Sequence, residues 1–375
     1  MQLPDEIKNK TLKNIARKVM ENISVNQDDA FAMLTTNDIM ELGAIADHIR
    51  TQFHGNTTYY SINMNLNYTN ICTLRCPLCA FSCDMEDERA FVLSMDDIEK
   101  RVLQAVADGI DEVHIVGGLH PDLTLDYFEK MLRKIKKIKP ELLIVGFTAV
   151  EYDHFAKINR LSIEEVFRRL IDAGVGALPG GGAEIFSPQV RTVIAPDKIT
   201  GKRWLGIMGT AHRMGLKTNA TLLYNHIENT EDIVDHLFQI RELQDETGGF
   251  KTFVPLQFHG ENTRIRSKRR FSTGYDDMRI YAAGRIVLRN IPHLKALWMY
   301  LGEKMAQVLQ RFGVDDIGGT YTNEKVVHAA GAKTSDYGTE PFLRRMIEES
   351  GMVPMRTTAD YQNGGCLAMG VTEGQ

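Results

Sequence analysis

Three cysteines, Cys72, Cys76 and Cys79, stand in a C-x3-C-x2-C pattern within Thr-Asn-Ile-Cys-Thr-Leu-Arg-Cys-Pro-Leu-Cys-Ala-Phe, and Cys83 follows close behind. The chain has five cysteines in all. An odd count with that clustering argues against a disulfide framework and for a metal site in a reducing compartment. Spacings of four and three also place residues on one helix face, where cysteines act as inert apolar filler. Pro77 counts against a helix, because it lacks the N–H and clashes with the preceding turn. In a loop the three thiolates can converge on one cluster. An iron–sulfur cubane normally takes four cysteine ligands, so three leave one iron open to a chelating small molecule. Zinc is the chemical competitor, since thiolates bind it well and Cys83 would complete a four-sulfur set. A closed structural zinc site usually draws on two separated pairs, which this segment does not offer. Cys83 is read as a spare thiol nearby, and Cys366, in the Gly-rich tail, as unrelated.

Two glycine-rich segments accompany the cysteines. Val116-Gly117-Gly118-Leu119-His120 either makes a simple turn or lets the backbone approach a ligand closely. In Leu178-Pro179-Gly180-Gly181-Gly182-Ala183-Glu184-Ile185-Phe186, three successive glycines are costly in chain entropy, so tight packing or function must explain them. Glu184 is a candidate to hold a ribose hydroxyl, or else an acidic residue at the positive end of a following helix. An anionic substrate would need fixed positive or donor groups. Arg191, His226, His259 and Lys295 stand near expected strand ends and are candidates, each against the commoner alternative of a surface charge or a satisfied histidine.

Positioning such groups requires strands that end together. Residues 1–57 read as a helical extension, with Leu12, Ile15, Ala16, Val19 and Met20 at helical spacing. From Tyr59 the pattern changes to alternation through Tyr60, Ile62, Met64, Leu66 and Tyr68, the period of a strand, and the cysteine segment follows it directly. Strands are then expected over 112–116, 142–147, 175–178, 217–223 and 250–256. Helices are expected from Ser94, Leu125 and Ser162, over 204–214 and 231–246, and from Tyr275 to Arg289, with a strand-like 294–299 and a further helix after it. Ser94 and the pair Ser162/Glu165 carry helix N-terminal signatures. Successive strand–helix units need right-handed parallel crossovers, so the fold class is α/β, a TIM-like barrel or partial barrel over 58–361 with catalytic groups at the C-terminal strand ends. Residues 362–375 are expected to be a flexible tail.

The bulk numbers narrow the function. With 43% hydrophobic and 25% charged residues the 375-residue chain can bury a sizeable core. A formal charge of -5 gives no basic field for nucleic acid, and the short run Lys268-Arg269-Arg270 reads as a solvated face. The charged N-terminal residues do not fit a signal peptide, and no stretch approaches the ~20 apolar residues of a membrane span. A cytoplasmic protein acting on a small molecule is expected.

The cysteine pattern after the first strand resembles the signature of the radical S-adenosylmethionine (SAM) superfamily, with Leu78 at a position commonly aromatic there. Within it, the chain resembles the aminofutalosine synthase family of the futalosine route to menaquinone over about 59–361. The resemblance is carried by residues 117–123, 147–151, 178–186, 218–221, 241–250 and 328–332. Phe147-Thr148-Ala149-Val150-Glu151 and Pro255-Leu256-Gln257-Phe258-His259 favour that family over the sister cyclase of dehypoxanthine futalosine, while Gly260 and Gly318 depart from its usual residues. The resemblance implies a [4Fe-4S] cluster on Cys72, Cys76 and Cys79, and SAM consumed as a co-substrate bound by Gly117, Gly118, Phe81, Glu184 and Asn219. It implies catalytic roles for Glu184, His259 and Arg191, and an electron donor such as flavodoxin or ferredoxin. The implied reaction adds the 5'-deoxyadenosyl radical to 3-[(1-carboxyvinyl)oxy]benzoate. The sister cyclase and a non-catalytic zinc-stabilised binding protein are the alternatives.

Overall fold

The computed structural model describes residues 3–266, 272–335 and 337–362. The run Lys268–Arg270, Cys366 and nearly all of the expected tail lie outside them. Ten strands alternate with helices: β1 Thr57–Ser61, β2 Asn63–Leu66, β3 Glu112–Ile115, β4 Leu143–Gly146, β5 Ala177–Leu178, β6 Lys217–Tyr224, β7 Phe250–Gln257, β8 His293–Leu294, β9 Asp316–Gly319 and β10 Val353–Arg356. Strands β2 to β8 form one parallel sheet in sequence order, and β10-β1-β9 a second. Consecutive parallel neighbours require a crossover each, and helices such as Met95–Ala107, Leu125–Ile138, Ile163–Ala173, Gly201–Arg213 and Thr230–Thr247 supply them. The sheet curls into the partial barrel expected from the alternation. Its open side is spanned by β9 and the residues after it, since Asp316 pairs with Lys295 just beyond β8 and Thr322 pairs with Met64 of β2.

Several expectations change in detail. The alternating stretch from Tyr59 is two strands, because the chain leaves the outer sheet at Ile62 and enters the barrel at Asn63. The strand-like 294–299 keeps only its first residue in β8 and turns into a short helix, Trp298–Leu301. Ser94 forms a reciprocal capping box with Asp97, whereas Ser162 accepts from the Glu165 N–H without the return bond. Helix Ala149–Asn159 was not anticipated, although Thr148 and Glu151 complete a capping box at its start.

The N-terminal residues are helical as expected, and helices Gln27–Thr35 and Ile39–His54 pack on Gly274–Val287. At the far end of the barrel the segment 357–361 fills the floor. Ala359 packs with Val145 and Ala177, and Tyr361 stacks on His293 with ring centroids 3.5 Å apart. No helix among the described residues is long and apolar enough to cross a membrane.

Candidate active site

A cavity of about 390 Å³ opens at the C-terminal ends of the strands. Its upper wall is the cysteine loop, which leaves β2 through Asn67 and Tyr68. The loop is tied at its base: Gly118 N–H donates to Thr69 O (2.9 Å), Thr73 N–H to Leu119 O (3.1 Å), and Cys72 N–H to Cys83 O (3.1 Å). Two further bonds fix its far side, Leu78 N–H to Ile194 O (3.1 Å) and Arg264 N–H to Pro77 O (3.0 Å). Cys72, Cys76 and Cys79 all line the cavity. Cys83 is fully buried in the loop's base and is not part of the wall.

Gly118 explains why this loop can lie where it does. A Cβ on it would come within 2.1 Å of Ile71 O, the residue before Cys72. Thus the glycine pair serves the approach of one protein segment to another, and both glycines also border the cavity. Beneath them Glu151 is buried, with its Oε1 accepting from Tyr68 Oη (2.8 Å) and Gly117 N–H (3.1 Å) and its Oε2 from Thr148 N–H (2.7 Å). Burial pushes its carboxyl up to about 7 despite these donors.

The second glycine-rich loop follows β5. Gly182 has φ +89°, and a Cβ there would lie 2.4 Å from Val150 Cγ2, so packing and backbone conformation both demand glycine. Glu184, itself at φ +48°, forms part of the wall and pairs with the half-buried Lys198, Oε1 to Nζ 2.7 Å. Burial alone would raise Glu184, but the Lys198 ammonium outweighs it and leaves the carboxyl below its ordinary value. Burial likewise opposes the charge on Lys198, yet Glu184 and then Cys76 hold the ammonium well above its usual range. The Cys76 thiol is pushed up by burial, with Lys198 acting against it. Thus Lys198 is placed to offset thiolate charge.

Of the candidates from sequence, Phe81, Gly117, Gly118, Glu184, Asn219, His259 and Lys295 line this one cavity. His259 Nε2 lies 2.9 Å from Tyr300 O, and Lys295 Nζ 3.1 Å from Asp316 Oδ2. Two candidates are elsewhere. Arg191 lies behind the second glycine loop, where its guanidinium donates to the carbonyls of Gly182 (3.3 Å), Ala183 (2.5 Å), Ile185 (3.0 Å) and Ile199. It holds the loop's shape and is not among the residues that line the cavity, so the structure does not bring it together with the other candidates. His226 is buried with Nε2 3.0 Å from Leu223 O and Nδ1 3.0 Å from Glu228 Oε2, and it too is absent from the wall. Sequence reasoning missed Lys198, Glu151, Asn67 and His114, which do line it.

The residues present suit a cluster and a nucleoside-bearing cofactor. Among the described residues the trio of ligand atoms drawn within 4.8 Å of one another is His54, His293 and Asp315. There, below the cavity, Arg285 already neutralises Asp315. Cys72, Cys76 and Cys79 border the same cavity as both glycine loops, so a cluster held there would adjoin the space for its cofactor. Asn67 and Asn219 are nearly fully buried, and each carries an Oδ1 without a partner at the cavity wall, an acceptor awaiting a ligand donor.

A model described as the radical SAM superfamily matches residues 66–240, and one described as the CofH/MqnC C-terminal region matches 247–366. The aminodeoxyfutalosine synthase of Thermus thermophilus is 38% identical over 359 residues, 95% of this chain and 96% of that one. The chain belongs to the radical SAM superfamily. Other relatives are similar over comparable lengths. The aminodeoxyfutalosine synthase of Streptomyces coelicolor is 33% identical over 93% of each chain. The 5-amino-6-(D-ribitylamino)uracil–L-tyrosine 4-hydroxyphenyl transferase of Methanocaldococcus jannaschii is 36% identical over 90% of this chain and 96% of that one. Among solved structures, methylornithine synthase superposes with a TM-score of 0.71 at 15% identity, covering 91% of this chain and 97% of that one. The hydrogenase maturase HydG superposes with a TM-score of 0.75 at 16% identity, covering 97% and 80%. These two show the fold. As a radical SAM enzyme the protein uses a [4Fe-4S] cluster and SAM, and the cysteine-rich segment 72–83 fits the cluster.

Proposed function

We propose that the protein is an aminofutalosine synthase. It would join the 5'-deoxyadenosyl group of SAM to 3-[(1-carboxyvinyl)oxy]benzoate, with aryl migration and loss of the enol carboxylate as bicarbonate, giving 6-amino-6-deoxyfutalosine and methionine. The observation that carries this reading is that one cavity takes in the cysteine loop, both glycine loops and a buried lysine. An adenosyl donor and an anionic acceptor therefore share one space, as group transfer between them requires. The likeness to two synthases over nearly the whole chain supports the choice of acceptor, as do the segments 147–151 and 255–259.

When bound, the cluster and SAM supply the electron transfer and the adenosyl radical that side chains cannot. Cys72, Cys76 and Cys79 would hold the cluster, with Lys198 offsetting their charge. Gly117 and Gly118 let their backbone pack against Tyr68 and Ile71 and border the space for the methionyl end. Asn67, Asn219 and Glu184 present acceptors to the hydroxyl and amino groups of an adenosine. Lys295 and His259 face the substrate's carboxylates, while Leu256, Phe258 and Met299 close the wall against water. A small redox protein such as flavodoxin or ferredoxin would deliver the electron.

The test is anaerobic turnover of the reconstituted, reduced enzyme with SAM labelled in its adenosyl carbons. Label in a product with the mass of 6-amino-6-deoxyfutalosine is expected. Free 5'-deoxyadenosine as the sole adenosyl product would favour the cyclase. Consumption of L-tyrosine with 5-amino-6-(D-ribitylamino)uracil, and not of the benzoate, would replace the reading with the activity named for the archaeal relatives.

A further inference from the structure

Two basic groups reach the cavity from within the barrel wall, below the loops at its mouth. His114 is in β3, and side chains two apart on a strand share a face, so Glu112 lies directly beneath it. Glu112 is fully buried, and its Oε1 lies 3.0 Å from His114 Nε2. Lys295, just past β8, is 5% exposed and has Nζ 3.1 Å from Asp316 Oδ2. Both carboxylates are fixed from below by the C-terminal segment. Ala359 N–H donates to Glu112 Oε2, and Tyr361 Oη donates to Asp316 Oδ2 at 2.5 Å. Burial alone would raise Glu112, but His114 and then Lys295 bring it below its ordinary value, so both basic groups act on the same carboxylate. Tyr321, whose ring centroid lies 6.3 Å from that of His114, completes this side of the cavity.

We infer that His114 and Lys295 form a carboxylate subsite at the bottom of the cavity, which takes the benzoate carboxylate of the substrate, the one retained in the product. This inference rests on the proposed function for the identity of that substrate. Lys295 spends one of its three N–H donors on Asp316, and the other two are available to a ligand. His114 has Nε2 engaged by Glu112, which leaves Nδ1 to meet the ligand. With Nε2 held by the Glu112 carboxylate, an Nδ1–H is the donor the ring can offer an arriving carboxylate. The assignment to the benzoate end follows from depth. The thiols, the glycine loops and Glu184 sit on loops at the strand tips, where the adenosyl group must lie. The reacting double bond and its carboxylate must stay beside it, and the aromatic carboxylate is the part of the molecule that can reach inward to residues 114 and 295.

The experiment is calorimetric binding to cluster-loaded protein with SAM and no reductant. The probes are 3-[(1-carboxyvinyl)oxy]benzoate and its benzamide counterpart, 3-[(1-carboxyvinyl)oxy]benzamide. Wild-type protein is expected to prefer the acid by about tenfold or more, the scale of a lost charge-assisted hydrogen bond. Lys295→Met and His114→Gln are each expected to lose most of that preference. The ratio is taken within each variant, so a partly misfolded preparation does not imitate the result. Either variant keeping the wild-type preference would overturn the subsite. If wild-type protein binds neither probe but prefers L-tyrosine to L-tyrosinamide, and Lys295→Met abolishes that preference, the subsite stands and the synthase reading falls. If the tyrosine preference survives Lys295→Met, both fall.

Discussion

Replacing Gly118 with alanine should unseat the cysteine loop. The new Cβ would lie 2.1 Å from Ile71 O and 2.7 Å from Ile71 C, and these are backbone atoms that cannot rotate away. Relieving the clash to ordinary contact means moving that backbone by about 1 Å, the difference between this distance and a normal carbon–oxygen separation. The segment cannot yield freely, because Gly118 N–H to Thr69 O and Thr73 N–H to Leu119 O pin the two strands of chain on either side. Losing one or two such bonds costs ~1 kcal/mol each, and overpacking adds ~1–3 kcal/mol. A total near ~2–5 kcal/mol is thus expected in apo-protein stability. The more telling readout is iron and sulfide per chain after anaerobic reconstitution, since Cys72 directly follows the displaced residue. Both are expected to fall well below wild type. Gly206→Ala is the control: it lies in helix Gly201–Arg213 with nothing within 4 Å of its Cβ, so it should gain up to ~1 kcal/mol of helix propensity and leave cluster content alone. Wild-type iron content and an unshifted melt for Gly118→Ala would refute the reasoning.

Three other outcomes follow from the same geometry. Glu151 has a folded-state value of about 7 against an ordinary 4.5, so the stability from burying its neutral form is whole below the lower value and lost as pH rises through the upper. The melting gap between wild type and Glu151→Gln should therefore shift against wild type by roughly 3 kcal/mol across that window, and a pH-independent gap would contradict it. Lys198→Met leaves the Glu184 carboxylate buried without its partner and should cost about 3–5 kcal/mol in denaturant unfolding. Adding Glu184→Gln should recover most of that loss, and strict additivity of the two changes would count against the pairing. Arg191→Lys trades a guanidinium on four carbonyls for one ammonium and should lose roughly 2–4 kcal/mol of stability. KM for the proposed benzoate substrate should change little, and a large KM rise at unchanged stability would return Arg191 to the site.

The parts of the site legible in sequence are those carried by local spacing. Cys72, Cys76 and Cys79 announce themselves because a segment of eight residues needs no long-range information to gather three sulfurs, and Pro77 removes the helical alternative. The glycine loops and the strands before them follow from composition and period in the same way. What failed required knowing which side of a segment faces inward. Arg191 carries the right charge at the right distance along the chain, but charge does not reveal that four carbonyls lie behind the loop. Lys198 was invisible because its partner Glu184 is fourteen residues away across a turn and a helix. Glu151 had a usable signal, the Thr148-x-x-Glu151 capping pattern directly after β4. His114 had one too, since it shares strand period with Glu112, and two ionisable side chains on the inner face of a barrel strand are costly unless paired. The split at Ile62 has no local mark, because both halves keep one unbroken alternation.

Three ionisable groups of the cavity wall share one construction, and it bears on the chemistry. Glu184 is paired with Lys198, Lys295 with Asp316, and His114 with Glu112. The partners Glu112 and Asp316 are buried, and these floor carboxylates are themselves fixed by Ala359 and Tyr361. A side chain tied in this way cannot swing to follow a ligand, so its orientation is set before binding and little reorganisation remains for the reaction. For radical chemistry that matters more than acid–base strength: a reactive carbon must meet one target, the double bond in the proposed reaction, and no nearby C–H, and a rigid frame enforces that choice. It follows that loosening the floor, far from the cysteines, should cost selectivity before it costs SAM cleavage. Truncation before Thr357 removes both ties while leaving every cavity-lining residue in the chain. The expected signature is a larger share of free 5'-deoxyadenosine per SAM cleaved; an unchanged ratio would mean that the paired carboxylates hold their side chains without the C-terminal segment.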